Sequence, residues 1–508
     1  MKIRSNIIAN YAGQIWSVLL GLVAAPIYIS ILGVESYGLI GFFTTLQVWF
    51  TLLDLGMLPT SVREMAKLSA GATTARHTRD LLRSFEFICL AIGSVIMIAL
   101  GVAAGPLGAS WFQAEALSAV EIASAVSLMG VILATRLGEG LYRSCLMGLQ
   151  RQVWLNVVSI GIATVRTLGC IAALLWIDRS VQTFFLWQAG ISIASLVIFG
   201  LSVHRTIPGD FRSGRFSFDA LRAVGAVAAG LFGINVLAVL LTQTDKILLS
   251  KILPLDQYGY YMIASTVTGA MYMLTGPITQ ATFPVLVAES TEGREAAFAL
   301  AFHNAAHLLT VFLAPVGLIL ILFPQSVLYF WTGDARLAEF TGPIVMLLAV
   351  GTLANTFMQV PYYAQVAHGW TSMALRINIV AVIFLVPAIL VLTPRWGPVA
   401  AAGIWAVLNL SYLPLSIFIF RRILRGEQRR WYLNDIGKPF LAALAVLLLM
   451  RLLPVHSDSS RLVQGAHVVM AGGLAMAATL LTLGSVRAYL GRGLARFGFG
   501  AVVRKRED

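Results

Sequence analysis

Long apolar runs separated by short polar segments fill this chain from end to end. A helix that crosses a bilayer needs roughly 20 consecutive, mostly apolar residues. Runs of that kind lie near 8–32, 38–58, 85–107, 118–140, 153–177, 182–203 and 222–244. The series continues near 258–284, 300–323, 343–366, 371–393, 398–420 and 464–486, with a shorter run at 438–454. The pattern predicts an all-α polytopic membrane protein with about fourteen transmembrane helices. The longest polar stretches, about 59–84 and 204–221, read as inner loops, and no segment reads as a soluble domain.

The second half of the chain repeats the first. ILGVESYGLIGF (31–42) returns as ILPLDQYGYYMI (252–263), so Tyr37-Gly38 matches Tyr258-Gly259 at an offset of 221 residues. The same offset pairs Glu35 with Asp256, Tyr142 with Tyr363 and Gly148 with Gly369. An offset of six spans, an even number, gives the two copies the same orientation. This predicts two parallel-repeat lobes of six helices, 1–205 and 206–425, related by an axis along the membrane normal. Residues 426–508 then form an added hairpin and a basic tail. Duplicated apolar halves are a common construction of secondary transporters, with the substrate site near the bilayer midplane.

Charge placement orients the chain. Only 12% of the 508 residues are charged and 58% are hydrophobic, whereas soluble domains carry about 25% charged residues. Lys and Arg gather in alternate loops, for example Arg63, Lys67, Arg76, Arg79 and Arg83, then Arg421, Arg422, Arg425, Arg429 and Arg430. The positive-inside rule puts these loops and both termini in the cytoplasm. The net charge of +13 is thereby a topology signal, with anionic lipid headgroups as secondary partners and no nucleic acid. The first apolar run is too long for a signal peptide and is expected to stay. Cys89, Cys145 and Cys170 sit singly in apolar runs, as small buried hydrophobes do, and carry no metal-ligand spacing.

No Gly-rich phosphate loop and no HExxH motif occurs, so the sequence predicts no enzyme, no metal site and no cofactor. The outer segments near 106–117, 324–342 and 455–463 are too small for a membrane-embedded glycan ligase or polymerase. Chemistry is carried instead by ionisable groups at membrane depth, which are costly and rarely idle. Arg166 sits mid-span, about ten residues from either end, too far to reach the interface easily. Arg136, Glu139 and Arg143 share one helical face through spacings of three and four, unless span 4 ends near 135 and leaves them on a turn. Asp54 reads either as a carboxylate bonded to backbone near a helix end or as a proton or cation site. Asp245 and Lys246 point about 100° apart, so both cannot face lipid comfortably. Arg376 is close enough to the inner surface to snorkel, and its cavity role stays open. His303 and His307, one turn apart, fit a satisfied helical face or a proton relay.

These candidates hold more arginines than acids: Arg136, Arg143, Arg166 and Arg376 against Asp54, Glu139 and Asp245. Arginine stays charged and grips phosphate bidentately, so a cavity lined this way suits a phosphorylated substrate. An exporter of organic cations would prefer acidic and aromatic walls.

The phrases NYAGQIWSVLLGLVAAPIYISILGVESYGLIGFF, LLDLGMLPTSVREMAK, YRSCLMGLQRQVWLN and TQTDKILLSKILPLDQYGYYMIA resemble the polysaccharide transporter family, the Wzx-type oligosaccharide flippases. The resemblance covers roughly residues 5–430. It implies a MATE-like fold and the flipping of an undecaprenyl-diphosphate-linked oligosaccharide to the periplasmic leaflet of a bacterial inner membrane. The diphosphate would rest on cavity arginines, with Arg166 first among them. Coupling to H⁺ or Na⁺ would fall to Asp54, Glu139 or Asp245. Polysaccharide polymerase and chain-length proteins are the partners it implies. Multidrug exporters and lipid II flippases of the same superfamily are the alternatives. The added hairpin is shared with its fourteen-helix members.

Overall fold

A computed structural model describes residues 2–209, 214–218, 239–240, 242–453 and 459–484, with side chains from residue 13 onward except residue 15. Most of the expected span 222–244 and the basic tail after 484 lie outside the described residues. Contacts divide the chain into two compact units, Met1–Gly259 and Tyr260–Asp508. Ten helices among the described residues are long and apolar enough to cross a membrane.

The first unit contains α1 (Lys2–Phe50), α2 (Met57–Ser69), α3 (Ala75–Pro106), α4 (Ala119–Gly148), α5 (Gln152–Trp176) and α6 (Val181–Thr206). α1 holds two of the expected spans, divided where Gly33 adopts φ 81, a left-handed value that side chains resist. α4 packs on α2, α3 and α6, and α5 packs on α1. A buried core of Met65, Leu82, Phe85, Leu141, Leu146 and Phe199 joins α2, α3, α4 and α6.

One segment differs from its sequence reading, and one open alternative is decided. The polar stretch 59–84 is not a loop: residues 57–69 form α2, an amphipathic helix that buries Met57, Thr60, Ser61, Glu64 and Met65. Their spacing follows one helical face, which the many polar residues obscure in a window set for spans. α4 runs unbroken to Gly148, so Arg136, Glu139 and Arg143 lie within a helix rather than on a turn. Its start is fixed by a capping box: the Ser118 hydroxyl accepts from Glu121 N, and the Glu121 carboxylate accepts from Ser118 N at 2.9 Å. The loop leading into α4 is held by Glu35, whose carboxylate accepts the amides of Glu115, Ala116 and Leu117 at 2.8, 2.9 and 3.0 Å.

The repeat-related glycines meet. A Cβ on Gly38 would lie 2.6 Å from the Leu255 carbonyl oxygen and 3.2 Å from Gly259 N. The two copies of the Tyr-Gly pair thus cross backbone to backbone. Gly38→Val is expected to lower the stability of the purified protein by about 1–3 kcal/mol, the usual cost of overpacking. An unchanged melting temperature would show that the crossing relaxes freely.

The second unit contains most of α7 (Leu255–Thr291), then α8 (Glu295–Leu322), α9 (Pro324–Thr332), α10 (Ala335–Phe357), α11 (Gln359–Ala367) and α12 (Ser372–Leu415). Short helices α13 (Ile417–Arg422) and α14 (Gln428–Arg430) lead to α15 (Lys438–Arg451) and α16 (Arg461–Leu480). α12 turns at Gly397, φ 62, between two expected spans. Helix limits recur at the sequence offset: shifted by 221, α3 falls on α8, and α5 falls on the first arm of α12.

The short apolar run at 438–454 gains length from a wide helical turn, Trp431–Gly437, that precedes α15. Ala314 and Leu318 of α8 pack with Ala443, Leu447, Ala471 and Ala475, seating the hairpin on α8. His303 is the polar tie at that seam. It is buried, its Nδ1 bonds Asp435, and its Nε2 lies 3.0 Å from Glu427. His307 Nε2 meets the Thr482 hydroxyl at 2.9 Å, so both histidines are satisfied.

Candidate functional site

α4 carries Arg136, Glu139 and Arg143 along one face, and α5 brings Arg166 to the same place. Glu139 is buried, with 5% of its side chain exposed. Its Oε1 lies 3.4 Å from Arg143 and its Oε2 3.9 Å from Arg166. Arg166, 13% exposed, also donates from Nη1 to the Ser192 hydroxyl of α6 at 3.1 Å. Arg143 is wetter, 42% exposed, and lies 5.3 Å from the Phe199 ring centroid. The Nε of Arg136 is buried with no hydrogen-bond partner among the described residues.

Two guanidinium groups therefore pair with one carboxylate, and Arg136, one turn before Glu139 on α4, adds a third positive charge, a net charge of about +2. The contacts are loose: 3.9 Å is an ion pair without a hydrogen bond, and the Oε2 of Glu139 has no hydrogen bond. Donors that are buried, charged and incompletely used favour a multivalent anion. Each charge-assisted hydrogen bond to such a ligand contributes about 1.5–3 kcal/mol.

The remaining candidates stand apart from this cluster. Asp54 ends a 3₁₀ turn, Thr51–Asp54, and its Oδ1 accepts from Gly56 N at 2.7 Å. Asp245 is buried, and the Lys246 ammonium lies 3.6 Å away. Arg376 belongs to the second unit, on α12, and has no ion pair or hydrogen bond among the described residues. Among the described residues no group of three His, Cys, Asp or Glu is placed to hold a metal ion.

A sequence model described as "Polysaccharide biosynthesis protein" matches residues 3–288, more than half of the chain. The chain belongs to that family. Solved structures share the fold at low identity. Lipid II flippase MurJ in an inward closed conformation matches with a TM-score of 0.68 and 13% identity, over 96% of this chain and 99% of that one. An inward-facing multidrug resistance transporter of the MATE family matches at 0.66 and 15%, over 80% and 94%. A MOP superfamily transporter from Pyrococcus furiosus, described as having a binding pocket of reverse polarity, matches at 0.52 and 16%, over 83% and 95%. No curated protein matches the sequence significantly. The solved structures that share the fold are themselves a lipid II flippase and multidrug transporters.

Within this polysaccharide-family protein the charged cluster belongs to one repeat only. At the offset of 221, Arg136, Glu139, Arg143 and Arg166 correspond to Phe357, Val360, Ala364 and Pro387. A purely architectural ion pair would serve both copies equally well.

Sequence reasoning missed a second polar group in the first unit. Glu86 on α3 accepts from Tyr142 at 2.9 Å, from Arg83 at 2.9 Å, and lies 2.8 Å from His204 at the end of α6. It opens on a cavity of about 350 Å³. Arg83 and Glu86 at i and i+3 were the local signal, but Tyr142 and His204 join only through packing.

Proposed function

We propose that the protein flips a polyprenyl-diphosphate-linked oligosaccharide from the cytoplasmic to the outer leaflet of a bacterial inner membrane, both termini being cytoplasmic. The observation that carries this reading is the pairing of Arg143 and Arg166 with the single carboxylate of Glu139, with Arg136 one turn away on α4. Two uncompensated positive charges at membrane depth fit a diphosphate, whose non-bridging oxygens accept several N–H donors at once. Family membership supplies the link to polysaccharide. The fold is one that flippases use.

Substrate binds through the diphosphate, with Arg166 as its inner anchor and the half-exposed Arg143 as the group that first meets it. Alternating access by fourteen spans, with lobes 1–205 and 206–425 rocking as rigid bodies, moves the head group across. Coupling to H⁺ or Na⁺ falls to Asp54. Glu139 lies beside two arginines and Asp245 beside Lys246, while Asp54 has no ion pair among the described residues. An exporter of organic cations fits this cluster poorly, because like charge repels its cargo.

Deletion of the gene tests the reading. Mass spectrometry of membrane lipids should find the polyprenyl-diphosphate oligosaccharide accumulating while the surface glycan disappears, and the wild-type gene should reverse both. Unchanged lipid-linked sugars with an intact surface glycan would sink the flippase reading and favour an exporter.

A further inference from the structure

The two arms of α12, 372–396 and 398–415, enclose a groove of about 800 Å³. Its walls are apolar along most of their length, with Phe384, Leu392 and Val407 among them. Phe384 and Val407 are 72% and 69% exposed, so the groove is open and not a packed seam. Polar side chains occur in the half away from the Gly397 turn, where Arg376, Ser411 and Tyr412 line it. Trp396 lines the other end. Twenty residues separate Arg376 from Trp396, about 30 Å of helix, which is the thickness of the hydrocarbon layer.

The groove is thus amphiphilic along its length: a cation with two hydroxyls at one end, then an apolar trough of membrane thickness. Arg376 lies one turn into the helix, and nothing in the described chain neutralises it. Hydroxyls beside a guanidinium add donors suited to phosphate oxygens. The polar end is particular to the second copy. At the offset of 221 the first copy has Leu155, Gly190 and Ile191 where the second has Arg376, Ser411 and Tyr412.

We infer that this groove holds the chain of a polyprenyl phosphate, with the phosphate on Arg376 and the isoprenoid along α12 towards Trp396. The choice of a prenyl chain over an ordinary phospholipid rests on the flippase reading above. The phosphate rests on Arg376 in a state distinct from that in which a diphosphate occupies the arginine cluster of the first unit. Arg376 then acts as a headgroup ligand near the inner surface rather than as a snorkelling charge alone.

Native mass spectrometry of the purified full chain tests this, with undecaprenyl phosphate, undecaprenol and phosphatidylglycerol as probes. The wild type should retain undecaprenyl phosphate about tenfold better than undecaprenol, the size of one charge-assisted contact, and better than phosphatidylglycerol, whose two acyl chains fit a single trough less well. Arg376→Gln should abolish the preference for the phosphate over undecaprenol. Ala388→Trp should reduce retention of both prenyl lipids by filling the trough. Gly403→Leu should do the same more gently, because a Cβ there meets only Leu347 Cδ1, at 4.0 Å. Equal retention of phosphatidylglycerol would overturn the prenyl assignment and leave an ordinary lipid site. Retention unchanged in all three variants would overturn the groove as the site. Both results are independent of the gene deletion: accumulation of lipid-linked sugar with normal export by the groove variants would keep the flippase and discard the groove.

Discussion

An Arg166→Glu variant that inserts fully into the membrane is expected to export no glycan. Arg166 has 13% of its side chain exposed against 42% for Arg143, and it sits at the centre of α5. Replacing it by Glu changes the local charge by two and brings a second carboxylate towards Glu139. The anion then meets repulsion where it met its deepest donor. Loss of one charge-assisted contact costs about 1.5–3 kcal/mol, and reversal costs more, so transport should fall by at least about a hundredfold. Arg166→Lys keeps the charge but not the planar fork, and should restore part of the activity. The measurement is surface glycan per inserted protein in a deletion strain. Normal export by inserted Arg166→Glu would remove this residue from the substrate path.

Glu139→Gln is expected to cause the largest loss of stability among the site variants. Its carboxylate is nearly inaccessible and is the counter-charge for the guanidinium groups of Arg143 and Arg166. Removing one partner of a buried pair typically costs about 3–5 kcal/mol, because the charge left behind stays desolvated. The lower end applies here, since Arg143 is 42% exposed and can turn towards water. The double variant Glu139→Gln/Arg166→Gln should recover part of the loss, as stranded charge is removed with its partner. Thermal unfolding of the purified single and double variants measures this directly. Equal melting temperatures for wild type and Glu139→Gln would mean that the arginines are already well solvated, and the case for a charged anion site would weaken with them.

The two predictions separate two roles that one charge cluster combines. Arg166→Glu should act on transport even when counted per inserted protein, whereas Glu139→Gln should act first on stability. A cluster that served only to hold helices together would show both effects in both variants.

Much of this was legible in the residues. Apolar run lengths gave the polytopic helical class, because a bilayer imposes one helix length on every span. The offset between Tyr37-Gly38 and Tyr258-Gly259 exposed a duplication that recurs in the limits of α3 and α8. Spacings of three and four put Arg136, Glu139 and Arg143 on one face, since helix geometry is local and regular. The mid-span position of Arg166 marked it as costly without reference to any neighbour.

Tertiary packing decided the rest. Nothing in the spacing along α5 says that Arg166 faces Glu139 of α4 and Ser192 of α6, because which helices adjoin depends on surfaces far apart in sequence. The same holds for Glu86 with His204 and Tyr142, and for His303 with Asp435 and Glu427. The groove on α12 needed the turn at Gly397 to bring Arg376, Ser411 and Tyr412 to one trough. Sequence by itself determined which residues are too costly to be idle in a membrane, since that cost is set by the solvent. Structure alone decided which of them meet, since that is set by the packing of helices against one another.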